Sequence, residues 1–255
     1  MRASVLLSIV LCSFALIAQG RDFYQLKIYH LSNTEQSAQL DDFLQNAYLP
    51  ALHRAGIPHV GVFKPIDDAG TDGNQQVYVF IPYASYDQFM ALDGLLEQDK
   101  LYQTAGEAYI KASYDRPPYD RIETILLNAF VGSPHAQLPD LTSPKSERVY
   151  ELRSYEGPTE AYYHNKVDMF IKGDEIGLFK RLDFNAVFYG EVIAGSRMPN
   201  LMYLTTFEDR QSRDELWKAF FADPHWKTLA ANPAYKNNVS RNQQTFLYPA
   251  EYSDF

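Results

Sequence analysis

The chain has 255 residues, enough for one large domain or two small ones with a real core. Its 46% hydrophobic and 22% charged residues argue against disorder, and a net charge of −9 with no basic run disfavours nucleic acid as a partner. Aromatic residues reach 15%, with 19 Tyr and 16 Phe, a surplus that suits β-rich interiors and half-wet pockets.

The first element is a leader. Arg2 supplies a positive start, Val5 to Ala18 form an apolar stretch, and Ala18-Gln19-Gly20 places small residues at the −3 and −1 positions of a cleavage site. This is the pattern of a secretory signal peptide over residues 1–20, too short for a stable membrane anchor, so the expected product is exported to a periplasm or the medium. The single cysteine, Cys12, lies inside the leader. The processed chain would have no disulfide, no thiolate nucleophile and no Cys-based metal site.

Residues 23–31 alternate as a half-buried strand, with Tyr24, Leu26 and Ile28 on one face and Gln25, Lys27 and Tyr29 on the other. Helical spacing of Leu40, Phe43, Leu44, Ala47 and Leu52 predicts a helix near 35–54. A second strand is expected from His59 to Pro65, a turn at 67–74 rich in Asp, Gly and Asn, and a third strand from Gln76 to Pro82. Ser85 can cap a helix to Gln98, a further helical piece reaches Ala112, and Arg121 to Phe130 makes a fourth strand. The order is βαββαβ, that of a ferredoxin-like unit.

The second half repeats the first. Tyr24-Gln25-Leu26-Lys27-Ile28-Tyr29 matches Tyr150-Glu151-Leu152-Arg153-Ser154-Tyr155 at an offset of 126, and Ala108-Tyr109 matches Ala234-Tyr235 at the same offset. Strands are expected near 148–156, 183–193, 200–207 and 242–249, with helices near 158–179 and 209–231. Residues 132–146, with three prolines and no apolar period, form a linker between a first unit (21–131) and a second (147–255). The expected fold class is α+β: two tandem units whose bare sheet faces cover each other within one chain, as an intramolecular α+β barrel. A monomer suffices for that pairing, and a homodimer remains open.

Val149-Tyr150-Glu151-Leu152-Arg153-Ser154-Tyr155, the strand Leu201 to Phe207, and Ala222-Asp223-Pro224-His225-Trp226 resemble the NIPSNAP family, whose domains belong to the dimeric α+β barrel group. The resemblance covers about 147–249; the first half is a diverged copy, with Gln25-Leu26-Lys27 and Gln98-Asp99-Lys100-Leu101 at the matching positions. It implies a fold and carries no catalytic residues. The wider group includes haem-degrading monooxygenases, chlorite dismutase-like haem proteins and small-molecule cyclases, and chemistry does not transfer by fold.

Strand phase supplies the site candidates. If Tyr150 and Leu152 meet the helices, then Glu151, Arg153 and Tyr155 face the barrel lumen, as do Lys27 and Tyr29. They then form either a structural ion pair or the polar anchor of a ligand cavity. His59, in phase with Gly61 and Phe63, is a candidate lumen base; His164 belongs to a helix surface. His225 and Trp226 open a helix behind Asp223 and Pro224, either as cap and core plug or as part of a site. No His pair has metal-ligand spacing, no metal or cofactor is called for, and Asn238-Val239-Ser240 is a glycosylation sequon if exposed. The leading expectation is a protein that binds a small, partly apolar molecule between its units. An enzyme of the monooxygenase, isomerase or lyase kind, with haem use as a variant, and a protein-interaction module are the alternatives.

Overall fold

The computed structural model describes residues 20–66 and 75–255, so residues 1–19 of the expected leader and the 67–74 turn lie outside the described residues. In the first unit β1 (Phe23–Leu31) is followed by α1 (Thr34–Phe43), α2 (Leu49–Arg54), β2 (Gly61–Pro65) and β3 (Gln75–Tyr83). Three further helices, α3 (Tyr86–Gln98), α4 (Lys100–Ala105) and α5 (Glu107–Ile110), lead to β4 (Arg121–Ala129). The second unit repeats the order with β5 (Val149–Glu156), α6 (Glu160–Ile171), α7 (Glu175–Arg181), β6 (Phe188–Ala194) and β7 (Asn200–Phe207). It ends in α8 (Arg210–Ala222), α9 (Pro224–Ala231) and β8 (Arg241–Pro249).

Where the elements depart from the expected ranges, local chemistry explains it. The helix expected over 35–54 is continuous but passes through a π turn at Leu44–Tyr48, just ahead of Pro50, which has no N–H to give to the preceding turn. The helix expected over 158–179 breaks at Gly173 and Asp174, where Asp174 takes a left-handed conformation with φ 58°. The strand expected from 183 starts at Phe188, because Asp183 and Asn185 both hold positive φ in a tight turn. The 209–231 helix divides at Asp223, whose side chain caps α9 ahead of Pro224.

Among the described residues the eight strands close into one barrel in the order β1-β3-β2-β8-β5-β7-β6-β4. Each unit supplies four antiparallel strands, and the units join at two seams. At one, β2 pairs with β8 (Phe63 opposite Pro249, Pro65 opposite Leu247); at the other, β4 pairs with β6 (Leu127 opposite Val192, Ala129 opposite Gly190). This is the expected α+β barrel of two tandem ferredoxin-like units, and closure leaves no free sheet edge among the described strands. Residues 132–146 cross between the units over the surface, held by the Asp22 carboxylate, which accepts from Ala136 N–H, and by Glu208, which accepts from Thr142 and Ser143 N–H.

Three apolar clusters follow from this geometry. One lies beneath the helices of the first unit, around Tyr29, Phe43, Leu52 and Tyr83. Another lies beneath those of the second, around Phe170, Phe179, Tyr203 and Trp217. The third fills the lumen with residues of both units, including Tyr24, Leu26, Phe63, Phe80, Leu127, Tyr150, Leu152, Phe188, Leu204 and Leu247. Phe255 joins it, closing one end of the barrel against Phe63 and Phe80. Gly61 is needed there, since a Cβ would collide with the Phe63 ring.

Phe80 stacks on Phe188 across the lumen with centroids 4.6 Å apart and ties one unit to the other. Phe80→Ala is expected to cost about 3–5 kcal/mol through lost burial and the cavity left behind. Urea denaturation followed by tryptophan fluorescence and circular dichroism checks this. A loss below about 1 kcal/mol would mean that the units do not depend on the lumen core.

Candidate functional site in the barrel mouth

The closed barrel decides which face of each strand looks inward, and the sequence reading had it reversed. Tyr150 and Leu152 belong to the lumen cluster, so Glu151, Arg153 and Tyr155 point outward, beneath the second unit's helices. Lys27 and Tyr29 likewise lie on the helix side: Tyr29 sits in the first unit's outer core, and the Lys27 ammonium lies 5.3 Å from the Tyr29 ring centre and 5.1 Å from that of Tyr48. Both faces of these strands are covered, so alternation separates two faces without saying which is the lumen. The partners decide. A small barrel's interior is filled by other strands' apolar side chains, whereas α8 brings Arg213 and Trp217 to meet a carboxylate.

Glu151 is fully buried and saturated with donors. It accepts from Arg153 Nε at 2.7 Å, from Arg213 Nε and Nη2 at 2.8 and 2.9 Å, and from Trp217 Nε1 at 2.8 Å. Arg153 also stacks 3.8 Å from the Trp217 ring centre and donates to the Tyr155 hydroxyl, which is hydrogen-bonded to Tyr203 at 2.8 Å. Beside this network a second buried ion pair joins Lys166 to Glu175 at 2.8 Å, with the ammonium 4.6 Å from the Phe170 ring centre. The arrangement staples α8 to β5 and leaves the Glu151 carboxylate no vacant direction for a ligand.

The other candidates also lie away from the lumen. His59 stands outside β2, exposed at the closed end of the barrel and 6.4 Å from the Phe255 ring, so it does not reach the lumen. His225 N–H donates to the capping Asp223, and its Nε2 pairs with the Gly173 carbonyl at 2.8 Å, which ties α9 to the α6–α7 turn. Trp226 packs on Phe220 at 4.7 Å. Asn238 is buried and donates to Asn165, so a glycan at the sequon is incompatible with this fold.

A surface pocket of about 210 Å³ at the Phe255 end is lined by His59, Pro82, Tyr83 and Phe255, whereas the lumen itself opens at the opposite end, where β1 and β5 finish. There a cavity of about 120 Å³ is lined by Ile28, Gln76, Tyr78, Glu123 and Ile125 of the first unit. The second unit contributes Leu152, Ser154, Val192, Asn200, Met202, Gln243 and Thr245, with Gly195, Ser196 and Arg197 of the β6–β7 turn. Register makes the two contributions equivalent. Ile28 faces Tyr78 and Glu123 as Ser154 faces Met202 and Gln243, so the cavity sits on the pseudo-twofold axis of the barrel.

The repeat is broken where it matters chemically. Position 123 is Glu in the first unit, and the equivalent position 243 is Gln in the second. At the rim, Tyr78 donates to Gln76 Oε1 at 2.8 Å, which turns the Gln76 amide nitrogen towards His30 Nδ1 at 3.3 Å. His30 then carries its proton on Nε2 and donates to Glu123 at 2.8 Å. Burial pushes the Tyr78 hydroxyl up, so it remains a neutral donor. Across the mouth Ser154 and Asn200 bond to each other at 2.9–3.1 Å, and Gln243 Oε1 is buried without a partner. Among the described residues no group of three or more His, Cys, Asp or Glu is placed to hold a metal ion. The sequence reading missed His30 and Glu123, although His30 continues the stripe of Tyr24, Leu26 and Ile28.

A family model, NIPSNAP, matches residues 150–254. This stretch is a NIPSNAP domain. It spans the second unit from β5 to beyond β8, and no curated protein matches the chain. Solved structures similar to the chain include a putative monooxygenase from Lactobacillus acidophilus NCFM, at 11% identity and TM-score 0.57, covering 90% of this chain and 94% of that one. Another putative monooxygenase, from Fusobacterium nucleatum subsp. nucleatum, gives 7% identity and TM-score 0.55 over 90% and 93% of the two chains. An anthrone oxidase-like protein gives 10% and 0.51 over 91% and 92%. At such identities the likeness is one of fold: both the NIPSNAP half and its partner half lie within it.

Glu151 also governs acid stability. Burial raises its pKa, but the Arg213 hydrogen bonds, the charges of Arg153 and Arg213 and the Trp217 N–H outweigh that and hold it below the ordinary glutamate value. A depressed carboxylate contributes stability above its unfolded pKa, roughly 4.3, and loses it as pH falls through the folded value. Glu151→Ala is therefore expected to destabilise the fold by about 3–5 kcal/mol at neutral pH, because two arginines lose their counter-charge. The variant should also show a shallower fall in stability below pH 4. Denaturant midpoints measured from pH 7 to pH 2 test both, and an unchanged acid limb would remove Glu151 from this role.

Proposed function

We propose that the chain is an exported NIPSNAP-type protein that binds a small, partly apolar molecule in the mouth of its barrel. One observation carries this reading: a cavity shared by both units, with apolar walls from Ile28, Ile125, Leu152, Val192 and Met202 and a polar rim that includes Gln76, Tyr78, Ser154 and Thr245. The opposite end is stoppered by aromatic rings, so a ligand enters from one side.

Export rests on the leader pattern of residues 1–20, and no helix of the described residues is long and apolar enough to cross a membrane. The first unit, residues 21–131, is in this reading a diverged NIPSNAP-like copy that keeps the fold while replacing Glu151 and Arg153 by Gln25 and Lys27. Expression with the native N-terminus is expected to yield an exported product beginning at Arg21 on N-terminal sequencing. A product retaining Met1 would remove the export reading.

Ligand-observed NMR of the purified chain against a fragment library tests the binding reading. Fragments that bind the wild type are expected to lose their signal with Thr245→Trp, which fills the mouth from β8, while circular dichroism confirms that the variant is folded. Hits that persist in the variant would place binding elsewhere.

A second reading, an enzyme working in the same mouth, is favoured by the His30–Glu123 pair, where a proton can be exchanged with a bound molecule. Three of the structural neighbours bear oxygenase or oxidase names, which describe those proteins. Recovery of every mouth-bound fragment unchanged by mass spectrometry after prolonged incubation would count against turnover.

A further inference from the structure

The seam between β2 and β8 continues beyond the strands themselves. β8 stops at Pro249, which has no N–H to extend a ladder. Residues 250–255 then run on beside β2 and hold it through backbone and side-chain bonds. Ala250 N–H donates to the Val62 carbonyl at 2.9 Å, and Asp254 N–H to that of Val60 at 3.1 Å. In the other direction Val62 N–H donates to Ser253 Oγ at 2.9 Å, and Val60 N–H to the Asp254 carboxylate at 2.7 Å. Three clasps fix this strap from outside. His53 Nε2 lies 2.8 Å from the same Asp254 oxygen, Tyr252 donates to Asp41 at 2.6 Å, and Lys145 donates to the Glu251 and Ser253 carbonyls.

The strap carries one ring inward. Phe255 is 3% exposed and meets Phe80 and His59 edge-on, with centroids 5.8 and 6.4 Å apart, and Phe63 at 6.5 Å in a tilted arrangement. A free aromatic molecule seeks the same distances and angles. Gly61 leaves the room, since a Cβ there would lie 3.3 Å from the Phe255 ring. Outside lies the surface pocket of about 210 Å³, and Phe255 is part of its wall together with Pro58, His59 and Pro82. The ring is thus the partition between that pocket and an aromatic slot. The His53 and Asp254 side chains of the clasp keep 39% and 24% exposure, so water competes for their bond. A segment held in this way opens locally at a lower free energy than the barrel it covers.

We propose that residues 250–255 are a releasable strap, and that with the strap out the Phe255 slot and the neighbouring pocket form one site for a single-ring apolar aromatic molecule. The strap keeps this site shut by filling it with its own ring. The site is separate from the mouth and does not rest on the reading given for it. Tyr24, Leu26, Leu127 and Phe188 of the lumen core lie between the two ends.

Amide hydrogen exchange of the purified chain, read by NMR with toluene as the probe, tests this. Toluene has the shape of the phenylalanine side chain. Val60 and Val62 report the strap, because their N–H groups are held by its side chains. Val79 and Phe80 of β3, paired on both sides, report the barrel. The first pair is expected to exchange at least about tenfold faster than the second, and saturating toluene should speed it further, since toluene enters only when the strap is out. A molecule bound elsewhere would slow Val60 and Val62 or leave them unchanged, and either result overturns the proposal. Asp254→Ala removes the clasp and keeps the ring, whereas Phe255→Ala removes the ring. Each should bind toluene at least about tenfold tighter than the wild type in a ligand-observed NMR titration, because the open fraction sets the apparent affinity. Wild-type affinity in either variant, once circular dichroism shows it folded, sinks the idea, and Asp254→Ala decides alone if Phe255→Ala does not fold. Both gains should persist in the Thr245→Trp background. If they vanish there, toluene sits in the mouth, and the strap proposal falls while the mouth reading stands.

Discussion

The structure depends on closure of two four-stranded sheets into one cylinder. A ferredoxin-like sheet with helices on one side leaves its other face and its edges uncovered, and neither is tolerable in water. Here the β2–β8 and β4–β6 seams remove the edges while the two bare faces cover each other. Each seam joins one unit to the other, so neither unit can complete its own burial. The aromatic surplus of the sequence follows from this demand. Tyr24, Phe63, Phe80, Tyr150, Phe188 and Phe255 fill one end of the lumen with ring contacts at 4.6–6.5 Å.

Closure also explains why the charged motif and the cavity lie on opposite sides of the same strand. On β5 the residues alternate between a largely apolar lumen and a helix layer that supplies several charged and N–H donors. Glu151 and Arg153 therefore belong outside, where Arg213, Trp217 and Tyr155 satisfy them. Tyr150 and Leu152 belong inside. Further along, the same inward row reaches Ser154 and Glu156 where the barrel opens to solvent. The transition from apolar to polar occurs along one face of one strand, and its equivalent on β1 runs from Leu26 and Ile28 to His30.

Much of the fold was legible in the chain because it rests on local periodicity and on the repeat. Both units' strands and helices lie close to the expected ranges, and the 126-residue offset between Tyr24 and Tyr150 reappears as equivalent lumen positions. The reversed assignment of faces has a physical origin. Strand β5 is buried on both sides, and a sequence pattern tells two covered faces apart without naming their coverings. The site was hidden for a related reason. His30 and Glu123 are distant in sequence and become neighbours only when β1 pairs with β4. Arg197 lies in the β6–β7 turn, outside the strand phase that the sequence pattern follows. Strand phase alone could have found His30, since it completes the row of Tyr24, Leu26 and Ile28.

The duplication places a cavity on a pseudo-twofold axis, and an exact repeat would give that cavity two equal halves. Such a site suits a symmetric ligand or none. Divergence removes the equality at chosen points: Glu123 answers Gln243, His30 answers Glu156, and Tyr78 answers Met202. The first unit thereby offers a proton-bearing chain of Tyr78, Gln76, His30 and Glu123, while the second offers amides, hydroxyls and Arg197. The family pattern is recognisable in the second half, but the titratable histidine–carboxylate pair of the mouth comes from the diverged half. Loss of the pattern in the first unit is thus compatible with gain of chemistry at the axis. The outward positions, where Gln25 and Lys27 replace Glu151 and Arg153, changed only a staple between strand and helix.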